Sequence, residues 1–251
     1  MPDSVSRQGL EDSRLVRAIR ESGRVGVLTG AGISAESGIP TFRGAEGLWK
    51  KFRPEELANF DAFMANPELV WAWYRFRRDI VRKAEPNPGH RALAAWETRV
   101  GEFTLITQNV DGLHARAGSK HLVELHGNLE RDRCLDCGRT CTGARAEEGD
   151  PIPVCSCGGR MRPDVVWFGE YLPEDALIQA DRAAAGCDLF LAVGTSAVVH
   201  PAASLPRLAK RRGAMLIEIN PEPTPVSAYA DFTLYGPAGQ LLPELLRILD
   251  A

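Results

Sequence analysis

The sequence has no apolar run that approaches the roughly 20 residues a helix needs to span a bilayer. It also has no excess of one charge, since 30 Lys and Arg face 33 Asp and Glu, a formal net charge of -3. The two signs are mixed along the chain, which gives no electrostatic reason to expect nucleic acid or a membrane as partner. The first 23 residues are polar and include acids, unlike a secretory signal or transit peptide. We therefore expect a cytoplasmic protein and, because no exposed apolar repeat or heptad is evident, a monomer.

Internal repeats and low-complexity segments are also absent, and 44% hydrophobic and 25% charged residues are ordinary for a globular chain. At 251 residues the chain is long enough for one large domain, or one domain with an inserted module. It has six cysteines, and in a reducing compartment their close spacing favours a metal site over disulfides.

Short runs rich in Val, Ile and Leu alternate with helical patterns along most of the chain. This predicts an α/β fold, a doubly wound, Rossmann-like parallel sheet covered on both faces. Strands are predicted at 24–30, 103–107, 121–127, 188–196, 214–220 and 231–236. Helices are predicted at 10–22, 54–64, 67–84, 90–99, 112–117, 173–185, 202–212 and 238–249.

Between residues 128 and 163 the apolar periodicity disappears and five of the cysteines occur. Cys134 and Cys137 form a C-x2-C pair, and Cys155 and Cys157 form a tighter pair after a gap of 17 residues. Four thiolates close together suit a closed, structural zinc site, and binding the metal would supply the folding energy this segment lacks. Cys141 is a spare thiol that could replace one ligand, and some of these cysteines could instead be merely buried. Cys187, beside a predicted strand, is interpreted as core packing.

Three predicted strands end in loops suited to a nucleotide: 30–34 (GAGIS), 194–196 (GTS) and 220–222 (NPE). Ligands of doubly wound folds bind at the carboxyl ends of the strands. Gly30, Ala31 and Gly32 would let backbone N–H groups approach a pyrophosphate, although a tight structural turn explains them equally well.

The usual dinucleotide fingerprint is incomplete. The third glycine is missing, and Lys50 and Lys51 stand about 20 residues on, where a ribose-binding acid belongs. Asn220 and Glu222 are the substitutes available for a ribose diol. A nucleotide site is therefore expected, but a plain hydride-transfer dehydrogenase is not.

Taken together, the motifs resemble the sirtuin family. The matching segments are GAGISAESGIPTFRGAEGLW, TQNVDGLH, ELHG, the four-cysteine pattern, VVWFGE, VGTSAVVHPA and INPE, in family order across residues 30–222. The resemblance implies an NAD-dependent protein-lysine deacylase with one structural zinc. It also implies a large subdomain of approximately 10–35, 86–127 and 170–251, and a small module of approximately 36–85 (helical) and 128–165 (zinc), with the active site between them.

The family's chemistry assigns roles to named residues here. NAD is a co-substrate that loses nicotinamide, and the acyl-lysine oxygen attacks its ribose. His126 would be the general base that activates a ribose hydroxyl, since imidazole is largely neutral near its ordinary pKa of about 6.5. Asn109 would order the ribose and a water, while Asp111 and the Val110 backbone would hold the nicotinamide carboxamide. Without the resemblance, His126 alone would be interpreted as a hydrogen-bonded core histidine, and Asp111 as a helix cap.

Phe42 would shield the ribose after nicotinamide leaves, and Arg43 would lie near the phosphates. The complete set of nucleotide-binding residues that the resemblance implies is Gly30, Ala31, Gly32, Ile33, Ser34, Thr41, Phe42, Arg43, Trp49, Gln108, Asn109, Val110, Asp111, Gly194, Thr195, Ser196, Asn220, Pro221, Glu222 and Ala238. The acylated peptide would pair by backbone hydrogen bonds with the segment formed by Val166, Trp167, Phe168, Gly169 and Glu170, which on its own reads only as an edge strand.

Tyr74 and Arg77 lie three residues apart in a predicted helix, so their side chains share a face. This Y-x-x-R pair resembles the sirtuin subclass that accepts succinyl and malonyl groups, because arginine offers a planar fork to a carboxylate. Ala58 matches the small residue that widens the acyl pocket in that subclass. The family's Thr-Pro after this alanine is replaced by Asn59-Phe60.

Three alternatives stay open at this stage. Arg75, Arg77, Arg78 and Arg82 could simply form a solvated basic face of the helix. The protein could be a non-catalytic NAD-binding sensor, although the joint presence of His126 with its neighbouring motifs disfavours this. It could also be an ADP-ribosyltransferase that passes the ribose to a protein side chain.

Overall fold

A six-stranded parallel sheet organises the fold of this computed structural model, which describes residues 10–41, 57–142 and 152–250. The strand order is β3-β2-β1-β7-β8-β9, with every neighbouring pair parallel. Its strands are β1 (Arg24–Thr29), β2 (Glu102–Thr107), β3 (Leu122–Glu124), β7 (Leu189–Val193), β8 (Met215–Asn220) and β9 (Phe232–Tyr235). Strand order therefore reverses between β1 and β7, the position where doubly wound sheets bind ligands.

Helices cover both faces of this large sheet, as the continuous apolar strands predict. One face buries Val25 and Val27 of β1, and the other buries Leu28. The first face is covered by α1 (Ser13–Glu21), α4 (Pro88–Glu97) and α8 (Ala238–Asp250), and the second by α6 (Glu174–Gly186) and α7 (Leu205–Arg211). A short helix, α5 (Leu113–Ala117), follows β2. Cys187 lies in the second apolar cluster, as predicted.

A second, small sheet contains the cysteine-rich segment. It is antiparallel, with β4 (Gly127–Cys134) between β5 (Thr140–Thr142) and β6 (Met161–Val165). It packs with α2 (Phe60–Ala65) and α3 (Pro67–Lys83) around a third apolar cluster that includes Phe63, Trp71 and Trp167. The sequence pattern predicted no strands here, because the strands of a small sheet with polar ends show little periodicity.

The strand predicted at 121–127 is present only in its first half. Strand β3 ends at Glu124, and a turn at Leu125 and His126 leads into β4 of the small sheet. Gly127 permits this change of direction, since it has φ +79° and an added Cβ would lie 2.1 Å from the carbonyl oxygen of Asp164. His126 therefore lies at the junction between the two sheets.

The helix predicted at 54–64 is also interrupted. Within the described residues, Asn59 is extended and caps α2 by accepting a hydrogen bond from the Ala62 N–H at 2.7 Å. The Ala58 carbonyl accepts a hydrogen bond from the Phe168 N–H at 2.9 Å, and Asn59 pairs with Phe168 in a parallel bridge. Of the VVWFGE segment only Val165 lies in a regular strand. Phe168 forms one bridge, and the Glu170 N–H donates to the Trp167 carbonyl at 3.0 Å across a turn at Gly169, so the prediction of an edge strand is corrected to a single bridge and a turn.

Arg78 fixes helix α3 to the small sheet and is not part of a solvated face. Its guanidinium donates to both oxygens of Asp132 and to the Leu129 carbonyl, the latter at 2.5 Å. Arg78 is 5% exposed and Asp132 0%. Removing one partner would leave the other as an uncompensated buried charge, which typically costs about 3–5 kcal/mol. This ion pair therefore anchors α3, the helix that contains Tyr74 and Arg77, to β4 of the small sheet.

In the part of the chain that the structure describes, no helix combines the length and the apolar character that crossing a bilayer demands.

The loops that follow β1 and β7 touch through their backbones. The Gly32 N–H donates to the Gly194 carbonyl at 2.8 Å, and a Cβ added at Gly32 would lie 2.7 Å from the Gly194 Cα. A Cβ at Gly30 would lie 2.8 Å from the same carbonyl oxygen, and Gly194 itself has φ +57°. This close packing, at the place where the strand order reverses, requires the glycines of GAGIS and GTS. A structural role therefore accounts for them whether or not they also bind a ligand.

Replacing Gly32 by alanine should therefore destabilise the fold, because a methyl group meets rigid backbone. We expect a loss of about 3 kcal/mol or more in the free energy of unfolding. The matched control is Gly186→Ala at the end of α6, where nothing lies within 4 Å of an added Cβ. There a small gain, up to about 1 kcal/mol, is expected. Thermal unfolding of both variants measures this, and equal melting temperatures would contradict the packing argument.

Candidate active site

A cleft of about 520 Å³ lies between the carboxyl ends of the large sheet and the small sheet with α3, within the size range of small-molecule sites. It gathers most of the residues named from the sequence. Those lining it are Gly30, Ala31, Gly32, Thr41, Ala58, Tyr74, Arg77, Gln108, Asn109, Val110, His126, Val166, Trp167, Phe168, Gly169, Glu170, Gly194, Thr195, Ser196, Asn220 and Glu222.

The remaining named residues lie elsewhere. Ser34 and Asp111 line a small side cavity that shares Ala31, Arg77, Asn109 and Val110 with the cleft. Ile33 and Ala238 are buried in the first apolar cluster, and Pro221 is exposed beside the cleft wall. Phe42, Arg43 and Trp49 lie outside the described residues.

His126 is held in a single tautomer. Its Nδ1 lies 2.9 Å from the Gln108 carbonyl oxygen, which can only accept, so Nδ1 carries the proton and Nε2 is left as an acceptor. Burial lowers the pKa of His126, and the Gln108 carbonyl partly opposes that shift. The ring is therefore neutral at ordinary pH and oriented like a general base.

Asn109 and Asp111 share one hydrogen-bond network through Ser34. The Ser34 hydroxyl donates to Asp111 Oδ2 at 2.7 Å and accepts from Asn109 Nδ2 at 3.2 Å, while Asn109 Nδ2 also reaches the Gly30 carbonyl at 3.1 Å. Asp111 Oδ1 accepts the N–H of Leu113, the first residue of α5, at 2.9 Å, although the N-cap position of that helix is Gly112. Burial raises the pKa of Asp111, opposed by these two donors. Carboxylate and amide thus face the side cavity in fixed orientations.

Two buried histidines that the sequence reasoning missed support this network. The His90 Nδ1 accepts the Asn87 N–H at 3.3 Å, which leaves Nε2–H to face the Ser34 hydroxyl at 3.4 Å. The His114 ring lies 4.7 Å from that of His90, and its Nε2 contacts the Thr29 hydroxyl at 3.0 Å. Burial lowers the pKa of His90 to about 4 and that of His114 well below 6.5. Both rings stay neutral, and only the tertiary packing reveals their position beneath the site.

The far end of the cleft is formed by the segment after β8. Pro223, Thr224 and Pro225 line it together with Asn220 and Glu222. The motif-based prediction of nucleotide-binding residues ends at Glu222. The alternating prolines of 221–225 (PEPTP) are the sequence signal that could have extended this prediction to the following residues.

The part of the cleft wall beside α3 contains Tyr74, Arg77, Trp167 and Ala58, where the sequence resemblance predicts that the acyl group binds. The Trp167 indole N–H donates to the Tyr74 hydroxyl oxygen at 2.8 Å. Burial raises the pKa of Tyr74, so the phenol keeps its proton and can donate it. Arg77 is half-buried in the cleft wall with its guanidinium 4.8 Å from the Trp73 ring centroid, and burial lowers its pKa while Tyr74 and Asp111 oppose the shift.

Glu170 is occupied by the fold rather than presented to a substrate. Both of its oxygens accept from the Arg162 guanidinium, and one also accepts the Trp167 N–H at 2.8 Å. Arg162 is 1% exposed and lies over the Trp167 ring. This cluster fixes the turn that contains Phe168 and Gly169, both of which are exposed.

The four cysteines named from the sequence form one cluster. The sulfurs of Cys134, Cys137, Cys155 and Cys157 all lie within 4.8 Å of one another, with Cys134 to Cys157 at 3.5 Å and Cys137 to Cys155 at 3.8 Å. A tetrahedral site with Zn–S bonds of about 2.3 Å requires S–S separations of roughly 3.8 Å, so the arrangement fits zinc. Cys141 is not in this cluster, and no second cluster of this kind occurs within residues 10–41, 57–142 and 152–250.

The large sheet is doubly wound and has a ligand-sized cleft where its strand order reverses. It is joined to a small sheet with a four-cysteine site. Together these features define a nucleotide-binding α/β protein with a structural metal site. Comparison with known proteins identifies the class further. The model of the Sir2 family matches residues 30–201. The chain belongs to the Sir2 family, the sirtuins.

Individual relatives agree over almost the whole chain. It is 51% identical to NAD-dependent protein deacylase 1 of Archaeoglobus fulgidus, over 94% of this chain and 97% of that protein. It is 56% identical to the NAD-dependent protein deacylase of Thermus thermophilus, over 90% and 89%. Among solved structures, a Sir2 homolog–NAD complex is 50% identical and superimposes with a TM-score of 0.89, covering 96% and 94% of the two chains. A Sir2–p53 peptide–NAD+ complex is 34% identical, with a TM-score of 0.83 and coverage of 94% and 97%.

The geometry of His126 predicts the acidic limb of the pH profile. A base must be neutral to act, and because burial lowers its pKa, activity should persist below pH 6.5 and be lost only as the pH falls through that lowered pKa. His126→Ala should lower kcat by about 10²–10⁴-fold. Rates of deacylation at saturating substrate from pH 4.5 to 8 measure both effects. An acidic limb centred above pH 6.5, or an active alanine variant, would contradict the role.

The metal site predicts that substitutions of cysteines inside and outside the cluster have different effects on zinc content. Cys155→Ser should lose zinc and unfold the small sheet, because metal binding supplies about 10 kcal/mol or more in comparable structural sites. Cys141→Ser, in the same sheet but outside the cluster, is the matched control and should keep one zinc per chain. Metal content by elemental analysis and melting temperature measure the difference, and zinc loss in the Cys141 variant would show that the ligand set is wrong.

Proposed function

We propose that this chain is an NAD-dependent protein-lysine deacylase that removes acidic acyl groups such as succinyl and malonyl as well as acetyl. NAD-dependent protein deacylation is the activity named for relatives 51–56% identical over at least 90% of this chain. The observation that carries the catalytic part of the proposal is His126, whose tautomer is fixed by the Gln108 carbonyl and whose ring lines the cleft.

In the proposed reaction NAD supplies an ADP-ribosyl acceptor for the acyl group and releases nicotinamide. His126 Nε2 is the acceptor for a proton of the ribose hydroxyl that attacks the acyl carbon. Asn109 holds the ribose and a water, and its amide is oriented for this by Ser34 and the Gly30 carbonyl. The acyl-lysine oxygen bonds to the ribose as the nicotinamide bond breaks, and one water is consumed as the amide C–N bond of the acyl-lysine breaks. The products are the free lysine, nicotinamide and O-acyl-ADP-ribose.

The nicotinamide carboxamide is assigned to the side cavity. Asp111 keeps lone pairs available after accepting from Ser34 and Leu113, since each carboxylate oxygen can accept two bonds. It can therefore accept the carboxamide N–H, with the Val110 backbone beside it. The loops containing Gly30–Gly32, Gly194–Ser196 and Asn220–Glu222 are proposed to hold the phosphates and the adenosine ribose.

Preference for an acidic acyl group rests on the donors at the closed end of the cleft. The oxygen of Tyr74 already accepts from Trp167, so its own proton is directed to a third group. Arg77 adds a planar cation in a site that burial has partly desolvated. A succinyl carboxylate could accept from both groups, whereas an acetyl methyl group offers no acceptor.

We further propose that the protein acts on acylated proteins in the cytoplasm, as a monomer and without nucleic acid. A four-thiolate zinc site requires reduced cysteines, which supports a reducing compartment. The mixed charge of the chain gives no basic surface for nucleic acid.

An ADP-ribosyltransferase and a non-catalytic NAD sensor remain the competing functions. Mass spectrometry of an acyl-lysine peptide incubated with NAD separates them. Loss of the acyl mass together with nicotinamide release supports the deacylase. Gain of ADP-ribose on the peptide would favour the transferase, and no change in mass would favour the sensor.

Acyl specificity gives a further prediction. Arg77→Met should lower kcat/KM for desuccinylation by roughly 10- to 100-fold more than for deacetylation, because a charge-assisted hydrogen bond contributes about 1.5–3 kcal/mol. Arg75→Met is the matched control, since Arg75 lies on the same helix but is exposed and does not line the cleft. A panel of acetyl, malonyl, succinyl and long-chain peptides measures the ratio. Equal losses for acetyl and succinyl peptides would defeat the assignment of Arg77.

A further inference from the structure

Glu218 places a carboxyl group inside an apolar layer of the protein. It lies in β8 between Ile217 and Ile219 and is 1% exposed. Because side chains alternate along a strand, it points to the same face as Leu216, which packs in the second apolar cluster with Val226. A buried carboxyl group is costly unless its oxygens are hydrogen-bonded, so this position requires a reason.

Both oxygens of Glu218 are bound by the segment that follows its own strand. The Thr224 hydroxyl donates to Oε1 and the Ser227 hydroxyl donates to Oε2. The same two hydroxyl oxygens accept backbone N–H groups of that segment, Ser227 from Thr224 at 2.9 Å and Thr224 from Val226 at 3.0 Å. Glu218 thereby ties residues 224–227 into one turn anchored on β8.

The anchored segment is a wall of the cleft. Glu222, Pro223, Thr224 and Pro225 all line it, and Thr224 both lines the cleft and binds Glu218. Glu222, Pro223 and Pro225 are exposed, so they contribute little apolar packing that could hold the wall in place. The Asn220 amide holds the start of the segment by donating to the Glu222 carbonyl at 2.9 Å, and residues 224–227 are held by the hydroxyl contacts to Glu218 and by the buried Val226.

We propose that Glu218 is a positioning residue for nucleotide binding, which acts through Thr224 and Ser227 to hold the wall against the ADP-ribose part of NAD. The inference rests on the nucleotide cleft of the proposed function. Glu218 does not line the cleft, and Tyr74 and Arg77 of the proposed acyl site lie on α3, apart from β8. Its loss should therefore weaken nucleotide binding and leave acyl-peptide recognition intact.

The test uses the full zinc-containing chain and ADP-ribose as the probe, with binding measured by calorimetry. Glu218→Leu removes both acceptors in a side chain of similar size, and we expect ADP-ribose to bind about tenfold more weakly. The KM for NAD should rise to the same extent, while kcat and the KM for the acylated peptide stay within about twofold of the wild type. Glu218→Gln keeps one acceptor oxygen and should restore affinity to within about threefold.

A second variant tests the same contact from the other side. Thr224→Val with Ser227→Ala should reproduce the tenfold weakening, and combining it with Glu218→Leu should add nothing, as expected for one shared interaction. Leu245→Ala, in the first apolar cluster, controls for general loss of stability and should leave ADP-ribose affinity unchanged.

The positioning role is overturned if Glu218→Leu binds ADP-ribose with wild-type affinity. It is also overturned if the KM for the peptide rises and kcat falls to the same extent as nucleotide binding weakens. If Glu218→Leu does not fold, the Thr224→Val and Ser227→Ala variant decides: tenfold weakening supports the role and unchanged affinity overturns it. Absence of ADP-ribose binding by the wild type would instead refute the proposed nucleotide site.

Discussion

The structure depends on the close backbone contact between the loop after β1 and the loop after β7. Gly30, Gly32 and Gly194 approach to distances at which no side chain fits, and they bring two strand ends together at the reversal of strand order. The cleft floor is consequently made of backbone, which is rigid and offers N–H groups without side chains in the way. The same contact that completes the fold therefore leaves room for a ligand.

From that floor, the segment after β3 connects both halves of the protein. Strand β3 pairs with β2 in the large sheet, the chain then turns at His126, and it continues as β4 in the middle of the small sheet. The His126 imidazole is hydrogen-bonded to the carbonyl of Gln108, the residue that follows β2. The large sheet therefore sets the orientation of the ring, although His126 directly precedes β4 of the small sheet. Any relative displacement of the two sheets would act directly on this ring.

The arginines of the small-sheet half differ in how they are placed. Arg78 and Arg162 are almost fully buried, and carboxylates and carbonyls satisfy them. Arg77, one residue from Arg78, lines the cleft instead. Helix α3 thus anchors the small sheet through one arginine and presents the preceding one to the cleft.

The sequence by itself determined the alternation of strands and helices, the zinc ligands and the loops at the strand ends, because these follow from local periodicity and close spacing. It did not determine the split at His126, the interruption at Asn59 or the strands of the small sheet, since each depends on pairing partners distant in the chain. Arg78, His90, His114 and Glu218 likewise gained their roles only from packing. A charged or titratable side chain carries no local signal of whether it will be solvated or buried, and only the folded chain supplies the partner that decides.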